Sequence, residues 1–175
     1  MSNKNSYQLF RKLRTEEIYR NFSRPIIVAD NLRTPENIGS VLRLAGNIGA
    51  KKVLFLKDKN SADVRNWKIK KTASGADEKV DWEFCSYDEL EKKIPPDYLL
   101  IAIETAENST NIFETVLPEK AAFIVGNEVY GISEKLMKKV FKTVFIPVPG
   151  VISSLNVTHA LSVVLFEWLR QKNNN

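Results

Sequence analysis

Val144-Phe145-Ile146-Pro147-Val148-Pro149-Gly150-Val151-Ile152-Ser153-Ser154-Leu155-Asn156-Val157-Thr158-His159-Ala160-Leu161-Ser162-Val163-Val164-Leu165-Phe166-Glu167-Trp168 is a strand, a turn and a helix in immediate succession. The apolar start runs into two prolines and a glycine, which stop a strand. A polar turn follows, and Ser154 or Asn156 can cap the next helix by accepting from its free N–H groups. Val157, Ala160, Leu161, Val164, Leu165 and Trp168 recur with helical spacing. Val163 and Phe166 add a second stripe, so this helix is either buried all round or shared with a partner subunit.

Working outward, the same alternation repeats upstream. Short apolar runs at residues 25–29, 52–56, 80–84, 98–103 and 121–125 read as buried strands. Helical patterns lie between them at 38–48, 87–93 and 134–140, and another precedes the first strand at 6–22. Strands alternating with helices give an α/β fold, a mostly parallel sheet with helices on both faces. Residues 1–24 read as an N-terminal basic helical extension and 25–172 as a single domain. No internal repeat is present.

Composition narrows the classes. The 175 residues suffice for one domain with a sizeable core. A content of 43% hydrophobic and 27% charged residues is that of a soluble globular chain. No apolar run reaches membrane-spanning length, and the N-terminus lacks the apolar core of a secretory signal. The single cysteine, Cys85, excludes an internal disulfide framework and suits the cytoplasm. The single histidine, His159, excludes a His-rich metal site, so no metal is expected. The net charge of +5 is unevenly spread. Residues 1–71 hold 16 Lys and Arg against 6 Asp and Glu, whereas the rest is acidic. A basic half points to an anionic partner on one face. Between residues 59 and 71, basic side chains flank Trp67, a pattern that neutralises phosphates and stacks a base; the alternative is a charged surface loop with Trp67 in the core. Residues 72–76 read as a flexible loop of small residues.

Three further features stand in order. Asn37-Ile38-Gly39-Ser40-Val41-Leu42-Arg43 opens the second helix, where Asn37 reads first as an N-cap and Arg43 lies off the apolar stripe. Gly126-Asn127-Glu128-Val129-Tyr130-Gly131-Ile132-Ser133 follows a strand. Ile146-Pro147 with Ser154-Leu155-Asn156-Val157 closes the series. Neither G-x-G-x-x-G nor the P-loop pattern occurs, which counts against dinucleotide and triphosphate chemistry.

Together these stretches resemble the three motifs of the SPOUT superfamily of RNA methyltransferases, in its SpoU/TrmH-type branch, over roughly residues 25 to 170. Val129-Tyr130 departs from the smaller residues common there. The resemblance implies a C-terminal trefoil knot, a homodimer, and transfer of a methyl group from S-adenosylmethionine to a ribose 2′-hydroxyl of RNA. It implies catalytic roles for Arg43, Asn37, Glu128, Ser154 and Asn156. Donor contacts are expected at Glu104, Thr105, Gly126, Ile146, Ser154 and Leu155. RNA contacts are expected at Arg11, Arg14, Lys68, Lys70 and Lys71. The family assigns the proton of the hydroxyl to Arg43. A guanidinium is effectively always protonated, which leaves the proton role of Arg43 open: besides taking the proton, it could hold an RNA phosphate that accepts or relays it, or stabilise charge on the ribose oxygen. Transfer RNA is the expected substrate ahead of ribosomal RNA, because the chain shows no separate N-terminal RNA-binding domain. A non-catalytic RNA-binding or assembly protein on the same fold is the alternative; a pure binder has no need of those five residues together.

Overall fold

The computed structural model describes residues 15–57, 66–152 and 154–173. Its elements are α1 (Thr15–Ile18), β1 (Ile26–Asp30), α2 (Pro35–Ile48), β2 (Lys52–Leu56), α3 (Asn66–Ala73), β3 (Trp82–Cys85), α4 (Leu90–Lys93), β4 (Leu99–Ile103), β5 (Thr110–Asn111), β6 (Ala121–Val125), α5 (Glu134–Met137), β7 (Lys142–Phe145) and α6 (Val157–Asn173). The strands form one sheet in the order β3-β2-β1-β6-β4-β7-β5, and every pairing is parallel.

A parallel sheet needs cover on both faces, and the strand sequences supply it. Every residue of β1 and β6 is buried. Ile27 and Ala29 face the core shared with α2, α3 and α6, while Ile26 and Val28 face the one shared with α4 and α5. On the first face, Leu161, Val164, Leu165 and Trp168 of α6 are fully buried. The two apolar stripes of α6 therefore part company: the first is core, whereas Phe166 of the second is 49% exposed.

Parallel strands put all their C-terminal ends on one edge. The chain runs from β1 outward to β2 and β3, then returns to build β6, β4 and β7 on the other side of β1. Loops 31–34, 104–109, 126–133 and 146–156 leave this edge next to the reversal of strand order, where open α/β sheets hold ligands.

Several boundaries differ from expectation. Helix α2 begins at Pro35, because Thr34 is its N-cap: the Thr34 side chain accepts from the Asn37 N–H. Asn37 is thus in the first turn, with its amide released for other work. Gly49 ends α2 in the left-handed conformation, φ 69°. Trp67 and Thr72 belong to α3, and Trp67 is exposed, so neither a core Trp67 nor a loose loop at residue 72 holds; within residues 72–76, Ser74 and Gly75 take positive φ. Of the 6–22 helix, residues 6–14 lie outside the described part, and the described part is helical only over α1. Tyr19 and Phe22 beyond it pack on Trp168, with ring centroids 6.2 and 5.7 Å away. Strand β5 has too little apolar pattern to be read from sequence. No helix among the described residues is long and apolar enough to cross a membrane.

Candidate active site

The loops at the C-terminal edge enclose a cavity of about 510 Å³, within the range of small-molecule sites. Glu104, Thr105, Gly126, Ile146, Ser154 and Leu155 all line it, as do Glu128 and Asn156. Ile103, Val125, Phe145 and Ala160 give it apolar walls.

Its floor is the 126–131 loop, closed on itself by paired backbone hydrogen bonds between Asn127 and Gly131 of 2.9 and 3.0 Å. A Cβ on Gly126 would lie 2.2 Å from the Gly131 carbonyl carbon, so only glycine fits there. The Asn127 side chain holds both ends of the turn. Its Oδ1 accepts from the Val129 and Tyr130 N–H groups, and its Nδ2 donates to the Asn31 carbonyl at 2.7 Å. Glu104 braces the far side, accepting from the Ile132 N–H at 3.1 Å and from the Thr105 N–H at 3.1 Å. Buried Asp30, at the end of β1, accepts from the Ser133 N–H at 2.7 Å and from the Tyr87 hydroxyl. Sequence reasoning missed Asn127, Asp30 and Thr34. A Thr-Pro pair before an apolar stripe is a helix-start signal and could have found Thr34.

One hydrogen-bonded chain joins the three motifs. Glu128 Oε1 accepts from Asn37 Nδ2 at 2.8 Å and from the Thr34 hydroxyl at 3.0 Å, and Oε2 accepts from the Arg33 N–H at 3.1 Å. Asn156 Nδ2 in turn donates to Asn37 Oδ1 at 3.3 Å. Asn156 Oδ1 accepts from the Thr158 N–H at 2.9 Å, so Asn156, one of the two candidate caps, both opens α6 and reaches the site. Burial pushes the Glu128 carboxyl pKa up, but hydrogen bonds from Asn37 and from neighbouring backbone N–H groups outweigh it. Glu128 is held below its ordinary value and is ionised at neutral pH.

Arg43 stands apart. It is exposed and lines a second cavity, of about 600 Å³, beside Ser74, Gly75 and Lys79. It does not line the first. Lys68 pairs with Glu36 at 3.0 Å, and Lys70 and Lys71 are exposed on α3. Arg11 and Arg14 lie outside the described residues. His159 is exposed on α6. Cys85 is buried, and burial pushes its thiol pKa up to about 11, as for an unreactive strand residue.

The model of the SpoU rRNA methylase family matches residues 24–166. A 23S rRNA (guanosine-2′-O-)-methyltransferase from Xylella fastidiosa is 32% identical over 84% of this chain and 59% of its own length. A counterpart from Neisseria meningitidis is 29% identical over 90% of this chain and 63% of its own. The chain thus spans about three fifths of the length of these curated relatives. Among solved structures, the SpoU methyltransferase AviRb from Streptomyces viridochromogenes, in complex with AdoMet, superposes with a TM-score of 0.78 at 23% identity, over 93% of this chain and 63% of that one. A protein described for 2′-OH methylation of C/U34 on tRNA superposes with a TM-score of 0.73 at 23% identity, over 87% of this chain and 98% of its own. At these identities the superpositions speak for the fold. The family match covers most of the chain, and it establishes that this chain belongs to the SpoU rRNA methylase family.

Proposed function

We propose that the chain transfers a methyl group from S-adenosylmethionine to a ribose 2′-hydroxyl of RNA, with ribosomal RNA as the first candidate. The observation that carries this reading is the chain Glu128–Asn37–Asn156, which ties residues of all three motifs together, Glu128 and Asn156 lining the first cavity. The choice of RNA follows the curated relatives, which are named for 23S rRNA; the expectation of transfer RNA finds no support among them.

The first cavity suits the donor. Glu104 and Glu128 are its charged lining residues among those described, and a sulfonium is a cation. The donor supplies an intrinsically reactive methyl group, which leaves the protein to align the hydroxyl and assist with its proton. Backbone at Gly126, Ile146 and Leu155 and the side chains of Glu104 and Thr105 hold the donor. Glu128 fixes Asn37, Asn37 and Asn156 hold the target ribose, and Ser154 lines the junction between donor and ribose. Arg43 sits outside this cavity, which favours the role of holding an RNA phosphate over direct contact with the ribose oxygen. The exposed Phe166 on α6 supports a homodimer through that face.

The test incubates the protein with methyl-labelled donor and, separately, ribosomal and transfer RNA from a strain lacking the gene. Label in a 2′-O-methylated nucleoside of ribosomal RNA is the expected result. Donor and RNA binding without transfer would favour the non-catalytic alternative, and label in transfer RNA alone would restore the other substrate.

A further inference from the structure

Trp67 is a large aromatic that the core does not use. It is 61% exposed, although it lies on a helix with a well-packed inner side. Along α3, Ile69 and Ala73 are buried and Thr72 packs on α2. Trp67, Lys70 and Lys71 stand at i, i+3 and i+4, so they share the outward face. Lys68 completes the group, with its Nζ 5.8 Å from the Trp67 ring centroid.

This face is fixed relative to the site. The two helices touch so closely at Gly39 that a Cβ there would meet Thr72 Oγ1 at 1.9 Å. Lys68 also pairs with Glu36 at 3.0 Å, and Glu36 adjoins Asn37, whose amide holds Glu128. An exposed indole among lysines therefore lies on a helix tied through Glu36 to the start of α2, the turn that carries Asn37. Lysines neutralise phosphates but offer no face for a base; an indole offers the face and carries no charge.

We propose that Trp67 is a stacking platform for an unpaired RNA base flanking the target nucleotide, with Lys70 and Lys71 on the adjoining phosphates. This rests on the methyl-transfer reading above and adds to it the state of the substrate: the target segment is single-stranded, with at least one base splayed out. Stacking on Trp67 fixes the position of the neighbouring nucleotide, and so selects which ribose reaches Asn37 and Asn156.

Intrinsic fluorescence tests the contact. Trp168 is buried with its Nε1 donating to the Pro118 carbonyl, and Trp82 is half-buried with its Nε1 donating to the Asp77 carbonyl. Quenching by a bound base therefore reports mainly on Trp67. The probe is a single-stranded oligoribonucleotide of about 12 nucleotides, a length comparable to single-strand binding sites. The parent is expected to show saturable quenching that Trp67→Phe abolishes. Trp67→Ala should bind the probe about fivefold to a hundredfold more weakly, the range for removing one stacked base, with Trp67→Phe in between and melting unchanged in both. Parent-like affinity of Trp67→Ala overturns the proposal and leaves the methyl-transfer reading intact. A change of sedimentation in Trp67→Ala also overturns it, by showing that a second copy covers this face. Failure of the parent to bind any RNA overturns both.

Discussion

Removing Glu128 should unfasten the first motif from the second, at a cost that follows from its partners. Oε1 accepts from the Thr34 N–H at 3.3 Å, the Thr34 hydroxyl at 3.0 Å and Asn37 Nδ2 at 2.8 Å, and Oε2 accepts from the Arg33 N–H at 3.1 Å. Glu128 lies on the exposed rim, so water replaces part of what is removed and each bond counts near the low end, about 0.5 kcal/mol. Glu128→Ala should therefore destabilise the fold by about 2 kcal/mol, a melting-temperature drop of roughly 4–8 °C for a chain of this size. Glu128→Gln keeps an oxygen at the Oε1 position and loses the charge and the Arg33 bond, for about half that drop. The folded-state pKa of Glu128 is depressed. Its ionised form thus stabilises the fold fully above the unfolded value near 4.5, and that contribution is lost as pH falls through the folded-state value. The melting gap between parent and Glu128→Gln should accordingly narrow below about pH 4.5, where the parent carboxyl takes on a proton and resembles the amide. Thermal melts at several pH values, with single-turnover methyl transfer at neutral pH, measure both effects. Transfer should fall more than tenfold in Glu128→Ala, because Asn37 is no longer held against Asn156. A parent-like melt together with parent-like transfer would refute the reasoning that this carboxylate organises the site.

Arg43→Ala should keep the fold, since the side chain is exposed, and lower transfer by on the order of a hundredfold; Arg43→Lys should restore little, as a point charge does not reproduce a two-pronged phosphate contact. Single-turnover rates read both. Phe166→Glu should shift sedimentation at micromolar concentration toward the 20.0 kDa species, because it places a charge in the proposed apolar interface. Replacing Lys68, Lys70 and Lys71 by Ala should flatten the dependence of RNA affinity on salt, by a slope of about 0.7 for each phosphate that is no longer neutralised. An unchanged slope removes this face of α3 from the footprint.

Most of the fold was legible because buried parallel strands and amphipathic helices leave strong periodic signals, as in β1, β6 and α6. Strand β5 was not, since two polar residues carry no period. The site was legible only as motifs. Their spacing named Asn37, Glu128 and Asn156, but no pattern says that Asn37 Nδ2 meets Glu128 across 91 positions of sequence. Asn37 illustrates the limit. Its type and place suit a cap, yet Thr34 takes that job because Pro35 starts the helix earlier. Asn127 and Asp30 were invisible for a similar reason: each holds loop backbone N–H groups, and neither belongs to a periodic stripe. Trp67 was left between core and surface, since one aromatic in a basic run fits both until neighbouring helices fill the inner face.

Titration calorimetry with S-adenosylmethionine on the parent, Gly126→Ala and Arg43→Ala tests the placement of the donor most directly. The two substitutions address different cavities. A Cβ at Gly126 meets the Gly131 carbonyl carbon at 2.2 Å and must force open the floor of the first, whereas Arg43 lines only the second. The expected result is one donor bound per chain in the parent, affinity within a few-fold in Arg43→Ala, and no binding in a folded Gly126→Ala. Binding that survives Gly126→Ala and disappears in Arg43→Ala would place the donor in the second cavity and contradict the assignment of the active site.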